Sequence, residues 1–397
     1  MGYIDLGYTP HNDVVCHFRV RASDIRKAAE DLAKESSVGT WTEIKDIPQT
    51  LAAHVFSIEG NDVKVAYPAE LFESGNICQI MSCVAGNIFG MKSIDALRLE
   101  DMEFPPSLVR GYGGPRYGVE GIRRMMRIPK RPLIGTIVKP KVGLSSKKHA
   151  EVACEAFMGG CDIVKDDENL TNQKFNPFKK RVARTIAVQE KAEDKTGEKK
   201  AYMPNISAEF EEMVRRAEYV CESGGKYAMV DVVIVGFSAL QGLRRKNIPL
   251  PIHAHRAMHA AFTRSPLHGI SMLVLSKIYR MIGVDQLHIG TIVGKMEGAR
   301  EDILSVHRVL NEKMKGKRKV FSVLSGGLHP GNIRTLVDIF GNDVIMQFGG
   351  GIHGHPWGTR AGAKACRQAL DAALEKRNHA KTQPELEEAL RQWRSND

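Results

Sequence analysis

The chain has 397 residues and 43% hydrophobic content, enough for a full core, which excludes a disordered or fibrous protein. Lysine and arginine number 57 against 46 aspartates and glutamates; the resulting +11 points to an anionic partner such as nucleic acid, a membrane surface or a phosphorylated metabolite. Seven scattered cysteines without a CxxC pair read as reduced thiols of a cytoplasmic protein, not a disulfide frame or a zinc site.

The opening MGYIDLGYTPHNDVV carries no basic segment followed by an apolar one, so no signal peptide is expected. No window approaches the ~18 unbroken apolar residues of a membrane span, so no membrane partner is expected. Length favours two domains, or one large α/β barrel with an appendage.

From residue 1 to 115 the predicted elements are short and mixed. DVVCHFRVR (13–21) alternates like a strand. Residues 23–35 place Ile25, Ala28, Ala29 and Leu32 on one helical face. TWTEI reads as a strand, AHVFSIEGNDVKVAYP as a hairpin turning at Gly60-Asn61-Asp62, and residues 71–99 as a further helix and strand. This mixture fits a small α+β, ferredoxin-like domain, followed by a Gly- and Pro-containing linker over 105–118.

From 116 to 397 the pattern becomes a regular alternation. Eight buried-strand candidates occur at 132–140, 161–168, 200–207, 227–235, 250–257, 284–291, 319–327 and 343–351. Helical segments lie between them, for example 145–158 and 208–222, the second with Ser207 as its expected N-cap. Eight near-continuous apolar strands alternating with helices, with no reversal signal, favour a (β/α)8 TIM barrel of roughly 250 residues over a doubly wound open sheet. Catalytic groups of such barrels sit at the C-terminal strand ends, and here those ends are rich in lysine, acid, histidine and glycine.

KDDEN (165–169) closes the second strand. Extended geometry puts Lys165 and Asp167 on one face, turns Asp166 away and leaves Glu168 just past the end. Two such carboxylates suit a hard divalent cation such as Mg2+. Elsewhere the same block is an ordinary solvated turn; the strand-end position favours the metal. Lys165 is then anomalous, because an ammonium repels a cation, and something must convert it to a ligand.

Lys139 and Lys141 end the first strand, both directed into the mouth, where crowding of like charge would lower a lysine pKa toward neutrality. The bland reading is a basic surface turn, which Pro140 supports. In HAHRAMH, alternation sets His253 and His255 on one side; His255 suits a general base and Arg256 a phosphate. His259 reads as a packed helix histidine, and His288 is as ambiguous as His255. Ser325-Gly326-Gly327 and Gly349-Gly350-Gly351 end the last two strands, where barrels commonly build a phosphate site. GTIVGKMEG (290–298) is a glycine-rich loop that suits a lid carrying Lys295. Phosphate holders opposite basic groups suggest a substrate with two anionic ends, while nucleic acid is disfavoured by the lack of aromatic–basic interleaving.

Together these motifs resemble the large subunit of ribulose-1,5-bisphosphate carboxylase/oxygenase (RuBisCO). GTIVKPKVGLS, GGCDIVKDDEN, HRAMHA, HIGTIVGKMEG, SGGLHP and QFGGGIHGHPWG follow in the family's order, and ESSVGTWTE and AGNIFGMKSIDALRLED match in the N-terminal part. The resemblance implies carbon dioxide fixation: carboxylation of ribulose 1,5-bisphosphate to two 3-phosphoglycerates, with O2 in a monooxygenase side reaction. It implies that Lys165 forms a carbamate with CO2 and binds Mg2+ with Asp167 and Glu168, the carbamate then serving as base at C3.

The same resemblance gives Lys139 the late proton donation, Lys141 polarisation of a substrate oxygen, His255 acid–base work and Lys295 the new carboxylate. Arg256 and His288 would hold one phosphate; Thr40, Trp41, Gly327, Gly349 and Gly350 the other. Ser325 would contact a substrate hydroxyl, with Gly326 and Gln347 also lining the substrate site. Glu35, Thr40, Trp41 and Asn87 would complete a neighbouring subunit's site, implying at least a head-to-tail homodimer.

The short tail after the barrel and Ile137, at a position that is threonine in plant-type enzymes, imply an archaeal-type (form III or II/III) branch without a small subunit, serving nucleotide salvage. Two alternatives stand beside this reading. One is a RuBisCO-like enolase or isomerase of sulfur salvage, whose members lose several of these residues. The other is a non-enzymatic anion or nucleic-acid binder.

Overall fold

The computed structural model describes residues 2–39, 49–293, 300–375 and 383–394. The strand expected for TWTEI and the residues Thr40, Trp41 and Lys295 lie outside them. The chain divides into two compact units: residues 1–114 with 258–283 and 313–317, and residues 115–257 with 284–312 and 318–397. The chain thus passes between the units more than once, and residues 258–283 and 313–317 join the first one.

The first unit is built on a five-stranded sheet. β1 (Asp13–Arg21), α1 (Ile25–Glu35), β2 (His54–Glu59), β3 (Asp62–Pro68), α2 (Ile77–Ala85) and β4 (Ala96–Glu103) follow in order. The strands pair antiparallel in the order β4-β1-β3-β2, the ferredoxin-like arrangement, and Gly269–Ile270 adds a short parallel edge to β4. The local signals are of the expected kind. Asp24 caps α1 by accepting from Lys27 N, and Ala28, Ala29, Leu32 and Ala33 are its buried stripe. The hairpin register pairs Glu59 with Asp62, so Gly60-Asn61 is a two-residue loop, with φ +60° at Gly60. The expected linker is partly ordered into a four-residue helix, Pro106–Val109.

The second unit is an eight-stranded parallel sheet. Its strands, numbered here along the chain, are Leu133–Ile137, Ile163–Lys165, Ala201–Met203, Ala228–Asp231, Ile252–His255, Gln286–Gly290, Phe321–Ser325 and Val344–Phe348. Each pairs with the next except the third with the fourth, and the eighth pairs with the first. A parallel bridge between Asn205 and Met229 joins the third to the fourth and closes the ring. This is the (β/α)8 barrel. Its lower interior is filled by Leu133, Ile163, Ala201, Met203, Tyr227, Met229, Phe321, Val323 and Ile345. Val119, Ile122 and Met126 of the helix Gly118–Met126 pack onto them.

Every strand is shorter than its apolar run suggested. The largest correction is in YAMVDVVIV, expected as one strand over 227–235: the strand stops at Asp231 and Val232 begins a helix. β-branched residues favour strands only weakly against tertiary context, and the bonds made by the buried Asp231 carboxylate set the break. A second correction concerns the helix Phe210–Glu222. Its cap is Glu209, which accepts from the backbone N–H groups of Glu211 and Glu212, because Ser207 is engaged with Asp231 instead.

Asp166 turns away from the barrel mouth, as expected, into a fully buried polar knot. Arg181 Nε donates to Oδ2 at 3.0 Å, the Tyr202 hydroxyl to Oδ1 at 2.6 Å and Asn205 N to Oδ2 at 2.9 Å, with His149 Nε2 3.2 Å from Oδ1. Burial alone would raise its pKa, but Arg181, His149 and the hydroxyl of Tyr202 overcome this and hold it at about 2. The sign follows: an aspartate depressed from ~3.9 when unfolded stabilises the fold above that pH and loses its contribution as pH falls toward about 2. Asp166→Asn should therefore flatten acid unfolding between those values. Asp166→Ala, which strands Arg181, should cost about 3–5 kcal/mol in denaturant unfolding; an unchanged midpoint would contradict this account.

Candidate active site

The strand ends of the second unit carry the reactive groups, and the second strand supplies their centre. Lys165, its last residue, is 1% exposed. Its Nζ donates to the carbonyl of Asp166 at 2.8 Å, contacts Met229 Sδ at 3.3 Å and lies 3.9 Å from Glu168 Oε2. Burial lowers its pKa, while Glu168, Asp167, Asp231 and Asp166 oppose the shift and leave it lowered in sum. An amine in this setting loses its proton more readily than a surface lysine.

Asp167 is buried beside it. Lys139 Nζ donates to Oδ2 at 2.8 Å, and Asn169 donates to Oδ1 from its backbone (3.2 Å) and its side-chain amide (3.0 Å). Burial raises the Asp167 pKa, but these donors lower it overall. Glu168 is partly exposed, 3.7 Å from His255 Nε2. The donor set at this point is two carboxylates and one amine. Among the described residues no group of three histidine, cysteine or acidic side chains could hold a metal. Asp167 and Glu168 supply oxygens of the kind a hard cation such as Mg2+ takes, and Lys165 could join them only with an oxygen on its nitrogen.

Lys139 and Lys141 were expected to point the same way. The first strand ends at Ile137, so strand alternation does not extend to them; Lys139 turns to Asp167 and Lys141 is exposed. Lys139 therefore faces a carboxylate, not a like charge.

His255 is held by Asp231, whose Oδ1 lies 3.1 Å from His255 Nδ1. Asp231 is 2% exposed and also accepts from Asn205 Nδ2 and Ser207 Oγ, both at 3.1 Å. This fixes the ring with Nε2 toward Glu168. Asp231 was invisible in the sequence because it seemed to lie in mid-strand. The signal that could have found it is an acid ending a short apolar run at the same end as its neighbours' reactive groups.

Arg256 has no carboxylate partner among the described residues, and burial lowers its pKa to about 10. It still carries its charge at neutral pH and faces Gly290, where a Cβ would come within 2.5 Å of its NH2. His253, His288 and Ser325 are brought together in one hydrogen-bonded row with Gln286. Gly326 and Gly327 follow Ser325, both with positive φ, and Gly349 and Gly350 follow the eighth strand. Gln347 is 1% exposed and packs against Gly135, with neither amide atom hydrogen-bonded. In the first unit Asn87 Nδ2 donates to Glu35 Oε1 at 3.1 Å, bringing those two expected residues together.

The family models for the ribulose bisphosphate carboxylase large chain match residues 2–108 (N-terminal domain) and 118–393 (catalytic domain). The chain belongs to the RuBisCO large-chain family. It is 51% identical to the ribulose bisphosphate carboxylase of Methanosarcina barkeri, covering 98% of each chain, and 47% identical to that of Methanocaldococcus jannaschii over 99% of this chain and all of that one. The solved octameric RuBisCO of Pyrococcus horikoshii superposes with TM-score 0.97 at 45% identity, covering 100% of this chain and 98% of that one. The dimeric archaeal RuBisCO of Hyperthermus butylicus gives 0.93 at 39% identity, covering 98% of each. These relatives place the chain in the archaeal-type branch of RuBisCO, and family membership makes it a carboxylase of the lyase class. No helix among its described residues is long and apolar enough to cross a membrane.

If Asp231 orients His255, Asp231→Asn should lower turnover by about 10–100-fold with little change in KM and an unchanged circular dichroism spectrum. Wild-type turnover in that variant would show that His255 needs no such support.

Proposed function

We propose that this protein carboxylates ribulose 1,5-bisphosphate with CO2 to two 3-phosphoglycerates, O2 competing for the same intermediate, after CO2 has modified Lys165. The observation that carries the reading is the buried Lys165 amine beside two carboxylates at a barrel strand end. A neutral amine adds to CO2 and releases a proton, giving an anionic carbamate where an ammonium stood. Burial, which penalises the ammonium, favours that exchange. The carbamate, Asp167 and Glu168 would hold Mg2+, which when bound supplies Lewis-acid polarisation of the substrate's oxygens.

The protein's own groups then have distinct tasks. The carbamate takes the C3 proton, producing the enediolate whose C2 attacks CO2. His255, tethered through Nδ1 to Asp231, exchanges protons with the sugar oxygens from Nε2. Water adds at C3, the C2–C3 bond breaks, and Lys139 protonates C2. Lys139 is paired with Asp167 and would be released for this role if that carboxylate held the cation. Arg256, desolvated and without an acid partner among the described residues, suits one phosphate; His288 would assist it, although both its ring nitrogens are engaged by His253 and Ser325. Gly327, Gly349 and Gly350 would take the other phosphate together with Thr40 and Trp41. Lys141 would polarise a substrate oxygen and Lys295 would stabilise the new carboxylate.

The working unit in this reading is at least a head-to-tail homodimer, Glu35, Thr40, Trp41 and Asn87 serving the partner's site, with no small subunit. The octameric and dimeric solved relatives support a dimer-based assembly. The physiological setting would be nucleotide salvage in the cytoplasm.

The test is acid-stable label from labelled bicarbonate, with Mg2+ and ribulose bisphosphate, after preincubation with CO2. Label should appear in 3-phosphoglycerate, and its absence from folded protein would reject the function. Lys165→Ala should abolish it. Because carbamate formation consumes neutral amine, the extent of CO2 activation should rise with pH from neutrality toward the lowered Lys165 pKa; activation that falls over that range would oppose the carbamate role.

A further inference from the structure

Four side chains form a continuous row from the barrel interior toward its mouth. Gln286 Oε1 lies 2.6 Å from His253 Nδ1, His253 Nε2 lies 2.8 Å from His288 Nε2, and His288 Nδ1 lies 2.9 Å from Ser325 Oγ. Gln286 and His253 are fully buried and His288 is 3% exposed, while Ser325 is partly exposed. Burial keeps both imidazoles neutral: it pushes the His253 pKa down to about 3, helped by Lys165, and that of His288 well below its ordinary value, helped by the neighbouring histidines.

A neutral imidazole has one N–H and one lone pair, so the row has only two self-consistent directions. If Gln286 presents its carbonyl, His253 donates from Nδ1 and His288 from Nε2. Ser325 must then donate its hydroxyl hydrogen to His288 Nδ1. If Gln286 presented its amide N–H instead, every bond would reverse and the Ser325 hydrogen would be left for a ligand. Gln286 Oε1 faces His253 Nδ1, and this placement selects the first direction. None of the three bonds involves Lys165, Asp167 or Glu168.

We propose that Gln286 and His253 are positioning residues that direct this row so that Ser325 meets the ligand as a hydrogen-bond acceptor. The site then selects a hydroxyl at that point, not a carbonyl, carboxylate or phosphate oxygen. This rests on Ser325 being a substrate contact, as in the function above, and names the chemistry it recognises. The remote end of the row, not the contact itself, makes the choice, because a serine hydroxyl alone can serve either way.

The experiment reads direction and function separately. Solid-state 15N NMR of histidine-labelled protein, assigned with His253→Gln and His288→Gln, should show Nδ1–H at His253 and Nε2–H at His288. Gln286→Met keeps the volume and removes the acceptor. It should give mixed tautomers and raise KM for ribulose bisphosphate about tenfold, with kcat within about threefold, as expected for one lost buried hydrogen bond. Gln286→Glu, which can only accept when ionised, should restore both tautomers and KM. The opposite tautomers in the wild type, or a KM raised as much by Glu as by Met, would overturn the proposal. Correct tautomers in a wild type that does not carboxylate would support the direction of the row and reject the carboxylase reading instead.

Discussion

A lysine amine buried at the end of the second barrel strand is the constraint around which the catalytic unit is arranged. Charge in a low-dielectric interior is costly unless paired, and among the described residues Lys165 has no carboxylate at hydrogen-bond distance, only a carbonyl, a thioether and Glu168 at 3.9 Å. The surrounding acids are each committed elsewhere: Asp167 to Lys139 and Asn169, Asp166 to Arg181 and Tyr202, Asp231 to His255, Asn205 and Ser207. The amine is left with an unpaired charge, and on the proposed function CO2 would reverse its sign.

The three consecutive acids illustrate how strand geometry divides labour. Asp166 faces outward from the mouth and anchors the helix Phe178–Thr196 through Arg181, while Asp167 and Glu168 face the site. A carboxylate with a guanidinium, a phenol and a backbone N–H cannot also serve a cation. Asp231 lies behind His255 and holds its ring, a placement set by packing and not by loops.

The barrel was legible because its strands are short apolar runs that alternate regularly with helical segments, and this period survives without knowledge of pairing. KDDEN, HAHR and the two glycine clusters were legible for the same reason. Asp231 was not: VVIV continues the apolar run past it, and only its bonds to Asn205, Ser207 and His255, up to 26 residues away in the chain, reveal the break. Gln286, and its pairing with His253, escaped notice because that pairing depends on the register of neighbouring strands, which local pattern does not encode. The alternation expected of Lys139 and Lys141 has no strand to rest on, because the first strand stops at Ile137, three residues before the end of the apolar run. The basic surplus, at first compatible with nucleic acid, is better explained in part by lysines and arginines that bear on an anionic substrate.

The central claim is that Lys165 carries CO2 as a carbamate. Its most direct measurement is 13C NMR of the protein equilibrated with 13C-bicarbonate and Mg2+. The account predicts one carbamate resonance per chain, absent in Lys165→Ala and present in Lys139→Ala. No carbamate signal in the wild type, or one that persists in Lys165→Ala, would contradict it.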